Sequence, residues 1–135
     1  MAFALVFPGQ GSQSVGMMAA YGESAVIRET LAEAATALGE DWWAMVCDGP
    51  AERLALTVNT QPLMRTAGVA AYRAWLAAGG PKPALVAGHS LGEYSALVAA
   101  GALAFSDAVP LVRFRAQAMQ EAVPAGEGAM AAVMG

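Results

Sequence analysis

Short apolar runs alternate along this chain with longer stretches in which apolar residues recur every three or four positions. Two of the runs, 2–7 and 84–87, predict buried strands of a parallel sheet, because a continuous apolar strand is typical of a sheet covered on both faces. The periodic stretches predict helices. These cover 24–38, a short piece around 42–45, another at 50–54, a longer helix from about 59 to 78, one after residue 90 and one over 106–121. A strand beginning a further unit is predicted at 129–134. The pattern therefore predicts an α/β fold.

Residue choices at the ends of these stretches sharpen the prediction. Gly39 is placed to close the first long helix, and Asp41 can cap the short one after it. Pro62 belongs at the opening of the helix that runs to about 78, whose predicted inward side includes Trp75. Ser106 and Asp107 are expected to cap the last helix, although Pro110 falls in its early turns. The full set of positions predicted to face inward on the longer helix is Leu63, Ala67, Ala70, Ala71 and Trp75.

The stretch between the second strand and the next helix has the pattern G-x-S-x-G. Gly88 and Gly92 flank His89, Ser90 and Leu91, so a serine lies at the apex of a strand–turn–helix unit. This is the context of a nucleophile elbow, in which the turn is too tight for side chains on the flanking residues. Free N–H groups at the start of the helix would favour negative charge on the serine oxygen. Ser90 is the candidate nucleophile, and a glycine-rich turn with an incidental serine is the alternative.

Composition and charge narrow the class of protein. The chain has 135 residues, which is enough for one domain, and 57% of them are hydrophobic while only 13% are charged, so much of the chain should be buried. The net charge of −4 and scattered basic residues argue against nucleic acid or an anionic membrane as partner. The single cysteine, Cys47, excludes an internal disulfide, and it is expected to be a small buried apolar residue. The apolar start lacks the basic segment of a signal peptide, so we expect a cytoplasmic protein.

Two further side chains are candidates for the chemistry of Ser90. Gln10 follows the first strand, where an amide can donate to a developing oxyanion, although a loop role is the alternative. Its glycine-rich loop lacks the lysine of a P-loop and the spacing of a dinucleotide fold. Arg115 can bind a carboxylate with two hydrogen bonds, or it can be an ordinary surface arginine. A base is missing, because His89 is the only histidine and its side chain should diverge from that of Ser90. Either another segment completes the chemistry, or this is not a serine enzyme.

Several motifs together resemble one family, the malonyl-CoA:acyl carrier protein transacylases of fatty acid synthesis, with the related acyltransferase domains of polyketide synthases. They occur in order and in register along the whole chain. They are Phe7-Pro8-Gly9-Gln10-Gly11-Ser12-Gln13, Thr60-Gln61-Pro62, Gly88-His89-Ser90-Leu91-Gly92-Glu93-Tyr94-Ser95-Ala96-Leu97, the pair Arg115 and Met119, and 126–133.

The resemblance implies a role for each matching position. Ser90 would take the malonyl group from malonyl-CoA as an ester and pass it to the phosphopantetheine thiol of acyl carrier protein. Gln10, through its side chain or its backbone, and the N–H of Leu91 would form the oxyanion hole. Arg115 would bind the free carboxylate of malonate. The resemblance implies no metal and no bound cofactor. The remaining matched residues would line the pocket (Met119 and Gln61) or support the elbow (Gly88, His89 and Gly92).

The resemblance also implies that the chain is an N-terminal portion, since members of the family are roughly twice its length. Residues 1–125 would belong to a large α/β-hydrolase-like domain, and 126–135 would be the first strand of a small ferredoxin-like subdomain. The catalytic histidine would lie outside the chain, which we therefore expect to be inactive unless the C-terminal remainder is supplied in the same or a second chain. The alternatives are an α/β serine hydrolase or thioesterase, a polyketide-type acyltransferase domain and a non-catalytic fragment.

Overall fold

The structure is a computed structural model that describes residues 2–124, 126–129, 131 and 133–134. Two strands and six helices make up most of it. In chain order they are β1 (Ala4–Phe7), α1 (Ala25–Leu38), α2 (Trp42–Asp48), α3 (Ala51–Ala55), α4 (Thr57–Ala77), β2 (Leu85–Gly88), α5 (Gly92–Ala99) and α6 (Phe105–Glu121). The predicted α/β class is confirmed. The strand predicted at 129–134 includes Met130 and Ala132, which lie outside the described residues, and it stays a prediction.

The two strands form a parallel sheet in which Ala4 pairs with Leu85 and Phe7 with Gly88. One face packs on helices, and there the Phe7 ring is buried against α4 and α5. The other face is open, since Val6 and Leu85 are each 71% exposed. The prediction of fully buried strands is therefore wrong for this face in the described part of the chain. The physical reason is that an apolar run shows only that a strand can be buried on both faces, whereas the described helices cover one face of this sheet.

Helix α4 is the centre of the packing and contacts α1, α5 and α6. Helix α1 packs its apolar side against this core, and Ile27, Leu31 and Ala34 are each no more than 1% exposed. Full burial of a large apolar side chain contributes roughly 1.5–3 kcal/mol each, so this core accounts for much of the stability. The largest apolar side chains of the core, all less than 2% exposed, are Trp42, Ile27, Leu31, Leu54, Leu63, Leu91, Val46, Val69, Val109 and Val112.

Several predicted helix ends are confirmed. Gly39 ends α1 in the left-handed conformation at φ 70°. The Oδ1 atom of Asp41 accepts a hydrogen bond from the N–H of Ala44 at 3.2 Å and caps α2. Cys47 of α2 packs against the core at intermediate exposure, and burial raises the pKa of its thiol. Trp42 and Trp43 of α2 pack into or against the same core.

The start of α4 differs from the prediction. The helix begins at Thr57, so Pro62 lies inside it rather than at its opening. A proline removes the N–H that would bond the carbonyl four residues earlier, here Val58. That carbonyl accepts a hydrogen bond at 2.7 Å from Nη1 of Arg113, which also forms an ion pair with Glu40. A side chain from α6 therefore replaces the missing backbone donor, and in doing so it fixes α6 against α4.

Two other predictions about helices are wrong. Helix α6 begins at Phe105 after Ala104, and neither Ser106 nor Asp107 caps it. Trp75 is 46% exposed rather than inward-facing. Its indole N–H donates to the carbonyl of Pro81 at 2.9 Å, and its ring meets Phe3 edge-on. This polar atom finds its partner in the loop before β2, which keeps the ring at the surface.

One arginine is fully buried beneath α6. Arg65 stacks its guanidinium 4.0 Å from the centroid of the Phe105 ring, and Nη2 donates to the Phe105 carbonyl at 3.0 Å. Burial, and to a smaller extent the nearby Arg73, lower the pKa of Arg65 to about 10, and Glu33 opposes the shift. Arg65 and Arg113 thus join α6 to α4 at two separate points. None of the helices in the described ranges is long and apolar enough to cross a membrane.

Candidate active site

Ser90 lies between the end of β2 and the start of α5 with φ at +53°. Among the described residues it is the one non-glycine residue with positive φ, a conformation that costs energy for a residue with a side chain. The turn is attached to the first strand, because the N–H of His89 donates to the Phe7 carbonyl at 3.0 Å. The Ser90 side chain is exposed at the carboxyl edge of the sheet. The sequence therefore places a strained, accessible hydroxyl where ligands bind in α/β sheets.

The glycines around Ser90 are required by space. A Cβ on Gly88 would overlap the backbone of Gly92, and a Cβ on Gly92 would overlap the Phe7 carbonyl and lie 2.7 Å from the Pro8 carbonyl. A Cβ on Gly9, in the loop after β1, would lie 2.6 Å from Nδ1 of His89. The loop after β1 is therefore in direct contact with the Ser90 turn. This contact brings Gln10 to the same edge of the sheet.

The backbone N–H groups of Gln10 and Leu91 donate to no other residue within the described ranges. Leu91 directly precedes α5, whose first backbone N–H groups do have partners: Gly92 donates to the His89 carbonyl and Glu93 to the Ser90 carbonyl. Helix N-termini attract negative charge through such free donors and through the helix dipole. The two N–H groups are thus available to a developing negative charge beside Ser90.

Arg115 reaches from α6 to the serine. Its Nη2 atom donates to the Ser90 Oγ atom at 2.9 Å, and its Nη1 atom donates to the Oε1 atom of Gln61 at 2.5 Å. The guanidinium carbon lies 5.9 Å from the centroid of the Tyr94 ring. Gln61 is only 1% exposed, so its amide is a fixed partner for a half-exposed cation. An arginine held in this way is suited to binding a carboxylate close to the serine oxygen.

Met119 completes the group of predicted residues. Its sulfur accepts a hydrogen bond from Nε2 of Gln61 at 3.2 Å, one turn of α6 beyond Arg115. Met119 and Gln10 also line one cavity of about 350 Å³. The structure therefore brings Ser90, Arg115, Gln61, Met119 and Gln10 to one region, although they come from four separate parts of the chain.

Two features of the site were not predicted from the sequence. Thr57, at the start of α4, accepts a hydrogen bond from the side-chain amide of Gln10 at 3.1 Å. The Tyr94 ring flanks Arg115. Thr57 is 47 residues from Gln10, and a lone threonine at a helix start gives no sequence signal for such a pairing. Tyr94 could have been considered from its position one helical turn after the serine.

No described residue is positioned to accept the proton of Ser90. The one hydrogen bond of its Oγ atom within the described ranges is to Arg115, a donor. His89 is exposed, and its ring lies against Gly9. Across the described part of the chain, no cluster of three histidine, cysteine, aspartate or glutamate residues is arranged to hold a metal ion. The described site thus combines an exposed serine hydroxyl, two backbone N–H groups without a partner in the described ranges and a half-buried arginine.

A serine at a strained strand–helix turn, beside an arginine and two free backbone N–H groups, defines an α/β protein with a site suited to acyl chemistry. Residues 4–135 match the model of the acyl transferase domain family, and the chain belongs to that family. The resemblance identified from the motifs is confirmed.

Malonyl transacylases and malonyltransferases are similar to this chain over most of its length. The malonyl CoA-acyl carrier protein transacylase of Escherichia coli strain K12 is 60% identical over 134 residues, which cover 98% of this chain and 43% of the relative. The crystal structure of an acyl-carrier-protein S-malonyltransferase from Burkholderia pseudomallei 1710b is 68% identical with a TM-score of 0.89, over 92% of this chain and 40% of that one. A second structure shows a malonyl-transacylase in complex with a type II polyketide synthase acyl-carrier protein. It is 53% identical with a TM-score of 0.88, over 92% of this chain and 40% of that one. The chain thus spans less than half the length of these relatives.

Proposed function

We propose that this chain carries the nucleophile part of a malonyl-CoA:acyl carrier protein transacylase. The observation that carries the proposal is the hydrogen-bonded row from Ser90 through Arg115 to Gln61, because it sets a carboxylate-binding cation beside a nucleophilic oxygen. We also propose a finer fold and domain assignment. Residues 1–125 form part of an α/β-hydrolase-like domain with Ser90 on its nucleophile elbow, and 126–135 begin a ferredoxin-like subdomain.

The reaction has two acyl-transfer steps. The Ser90 Oγ atom attacks the thioester carbonyl of malonyl-CoA and gives its proton to a base. An O–C bond forms, the C–S bond breaks, and coenzyme A leaves as a thiol after taking up a proton. The phosphopantetheine thiol of acyl carrier protein then attacks the Ser90 ester, and Ser90 recovers its proton as the new thioester forms. The base is supplied from outside the described residues, because His89 faces Gly9 rather than Ser90.

Negative charge on the carbonyl oxygen is stabilised by the N–H groups of Gln10 and Leu91. The N–H of Gln10 is held in place by β1, which precedes it, and the N–H of Leu91 by α5, which follows it. Removal of a single donor of this kind typically lowers kcat by about a hundredfold to a thousandfold. Because Ser90 is already at positive φ, little backbone rearrangement is needed when charge develops.

Selectivity for a malonyl group comes from Arg115. A malonyl ester on Ser90 carries a free carboxylate only a few bonds from the Oγ atom. The carboxylate replaces Ser90 as the partner of Nη2, while Gln61 keeps Nη1 in place. An acetyl group has no carboxylate and gains nothing from this arginine. Met119 and Gln61 line the pocket on the same side.

The experiment uses a completed chain, in which residues 1–135 replace the aligned stretch of the E. coli relative, so that the segment this chain does not cover is present. Intact mass spectrometry follows the protein after brief incubation with malonyl-CoA and then with acyl carrier protein. We expect one malonyl group to be gained and then lost to the carrier protein. Ser90→Ala should gain none, and Arg115→Ala should lose the preference for malonyl-CoA over acetyl-CoA.

Other outcomes would refute the proposal. An adduct that disappears in buffer without carrier protein would indicate a serine hydrolase. An adduct that persists in Ser90→Ala would assign the nucleophile elsewhere. The 135-residue chain alone, incubated in parallel, is expected to gain little or no malonyl group because its base is missing.

A further inference from the structure

The side chain of Gln10 is held by a hydroxyl from another element. Its Nε2 atom donates to the Oγ1 atom of Thr57 at 3.1 Å, and both residues are partly buried. The Oε1 atom of Gln10 is buried without a partner among the described residues. The Thr57 hydroxyl is therefore the one group in the described ranges that fixes the orientation of this carboxamide. Thr57 does not cap its own helix, since α4 has no side-chain cap.

Thr57 lies one turn of α4 before Gln61, and side chains four residues apart share one side of a helix. Gln61 holds Arg115 from α6, while Thr57 holds Gln10 from the loop after β1. The start of α4 thus contacts both functional groups that flank Ser90. This helix is also the centre of the packing and is anchored by Arg113, so its first turns are a rigid support.

We propose that Thr57 is a positioning residue for the acyl-transfer site, and this rests on the function proposed above. By engaging the side-chain amide of Gln10, Thr57 fixes the backbone of that residue against the Ser90 turn. With Nε2 of its carboxamide directed at Thr57, Gln10 then presents its backbone N–H to the oxyanion. The role of Thr57 is exerted through Gln10, since the bond to Gln10 is the one hydrogen bond of the Thr57 side chain within the described ranges.

The completed chain tests this with three variants. Thr57→Val keeps the shape of the side chain and removes the hydroxyl, whereas Thr57→Ser retains it. Thr36→Val makes the same change at an exposed threonine of α1 that bonds only its own helix, at Ala32, and it is the matched control. We expect Thr57→Val to lower kcat for malonyl transfer by about tenfold to a hundredfold with little change in KM, because a misplaced donor weakens transition-state binding. Thr57→Ser should recover most of the rate, and Thr36→Val should match the parent.

Two further readouts separate positioning from a general loss of structure. In protein labelled with ¹⁵N on glutamine side chains, the Gln10 amide signals, assigned from Gln10→Ala, should move toward free-amide values in Thr57→Val only. In a double-mutant cycle, Thr57→Val should cost little once Gln10 is alanine, since the two residues act as one unit.

The outcomes are distinct. Unchanged Gln10 signals in Thr57→Val overturn the proposal whatever the kinetics show. A malonyl ester on the parent with unchanged kcat in Thr57→Val, or an equal loss of rate in the Gln10→Ala background, also overturns it while leaving the proposed function intact. Failure of the parent itself to form a malonyl ester refutes the proposed function, and the role of Thr57 with it.

Discussion

Replacement of Gln61 by leucine tests how the arginine of the site is oriented. The substitution removes the Oε1 atom that accepts a hydrogen bond from Nη1 of Arg115 at 2.5 Å, while a side chain of similar size remains in the 1% exposed position. Arg115 keeps its charge but loses its fixed partner. We expect it to sample other rotamers, and binding of a substrate carboxylate must then include the cost of ordering it.

The magnitude follows from the contacts. A hydrogen bond to a charged group contributes about 1.5–3 kcal/mol when both partners are buried. Arg115 is only half-buried, so water replaces part of the lost bond, and about 1–2 kcal/mol is the better figure. The bond from Gln61 to the Met119 sulfur adds little, because a thioether is a weak acceptor. A cost of 1–2 kcal/mol corresponds to a rise of about 5- to 30-fold in KM for malonyl-CoA.

Steady-state transfer by the completed chain measures this effect. KM is compared between malonyl-CoA and acetyl-CoA, which lacks the carboxylate, for the parent, Gln61→Leu and the control Gln117→Leu at an exposed position of α6. The rise should be confined to malonyl-CoA and to the Gln61 variant. An unchanged KM for malonyl-CoA, or equal losses for both substrates, would show that Gln61 does not act through Arg115.

Three predictions concern the fold. Gly92→Ala should lower the free energy of unfolding by about 1–3 kcal/mol or more, because the new Cβ overlaps the Phe7 carbonyl. A melting temperature equal to that of the parent would contradict this packing. Leu63→Ala should cost about 2–5 kcal/mol in urea unfolding, whereas Leu111→Ala, at a position 42% exposed, should cost far less. The pKa of Arg65 is lowered to about 10 in the folded state, so above pH 10 the unfolded state, in which this pKa is higher, binds more protons, and the free energy of unfolding rises with pH through this group. The unfolding free energy of the parent should therefore climb relative to that of Arg65→Met above pH 10, and parallel curves would contradict the assigned pKa.

The sequence predicted most of what depends on local pattern. The end of α1 at Gly39, the Asp41 cap and the glycine-flanked Ser90 turn follow from spacing that a few neighbouring residues determine. The motifs also singled out Arg115 and Gln61, which the structure joins by a hydrogen bond. Local rules were sufficient here because each feature is either contained in one element or repeated in the motifs of a family.

The remainder depends on contacts between distant parts of the chain. Pro62 lies within α4 because Arg113, 55 residues away from Val58, donates to the carbonyl that the proline leaves free. Trp75 stays at the surface because its indole finds the Pro81 carbonyl. The pairing of Thr57 with Gln10 has the same character. A propensity scale contains no information about such partners, since tertiary contacts decide them.

The residue that carries the acyl group decides whether Ser90 is the nucleophile. After incubation of the completed chain with malonyl-CoA, peptide mapping by tandem mass spectrometry assigns the modified residue. The proposed function predicts a malonyl ester on Ser90, which is exposed. It predicts none on Ser95, which is 1% exposed and donates to the Arg65 carbonyl. A malonyl group on any residue other than Ser90 would contradict it.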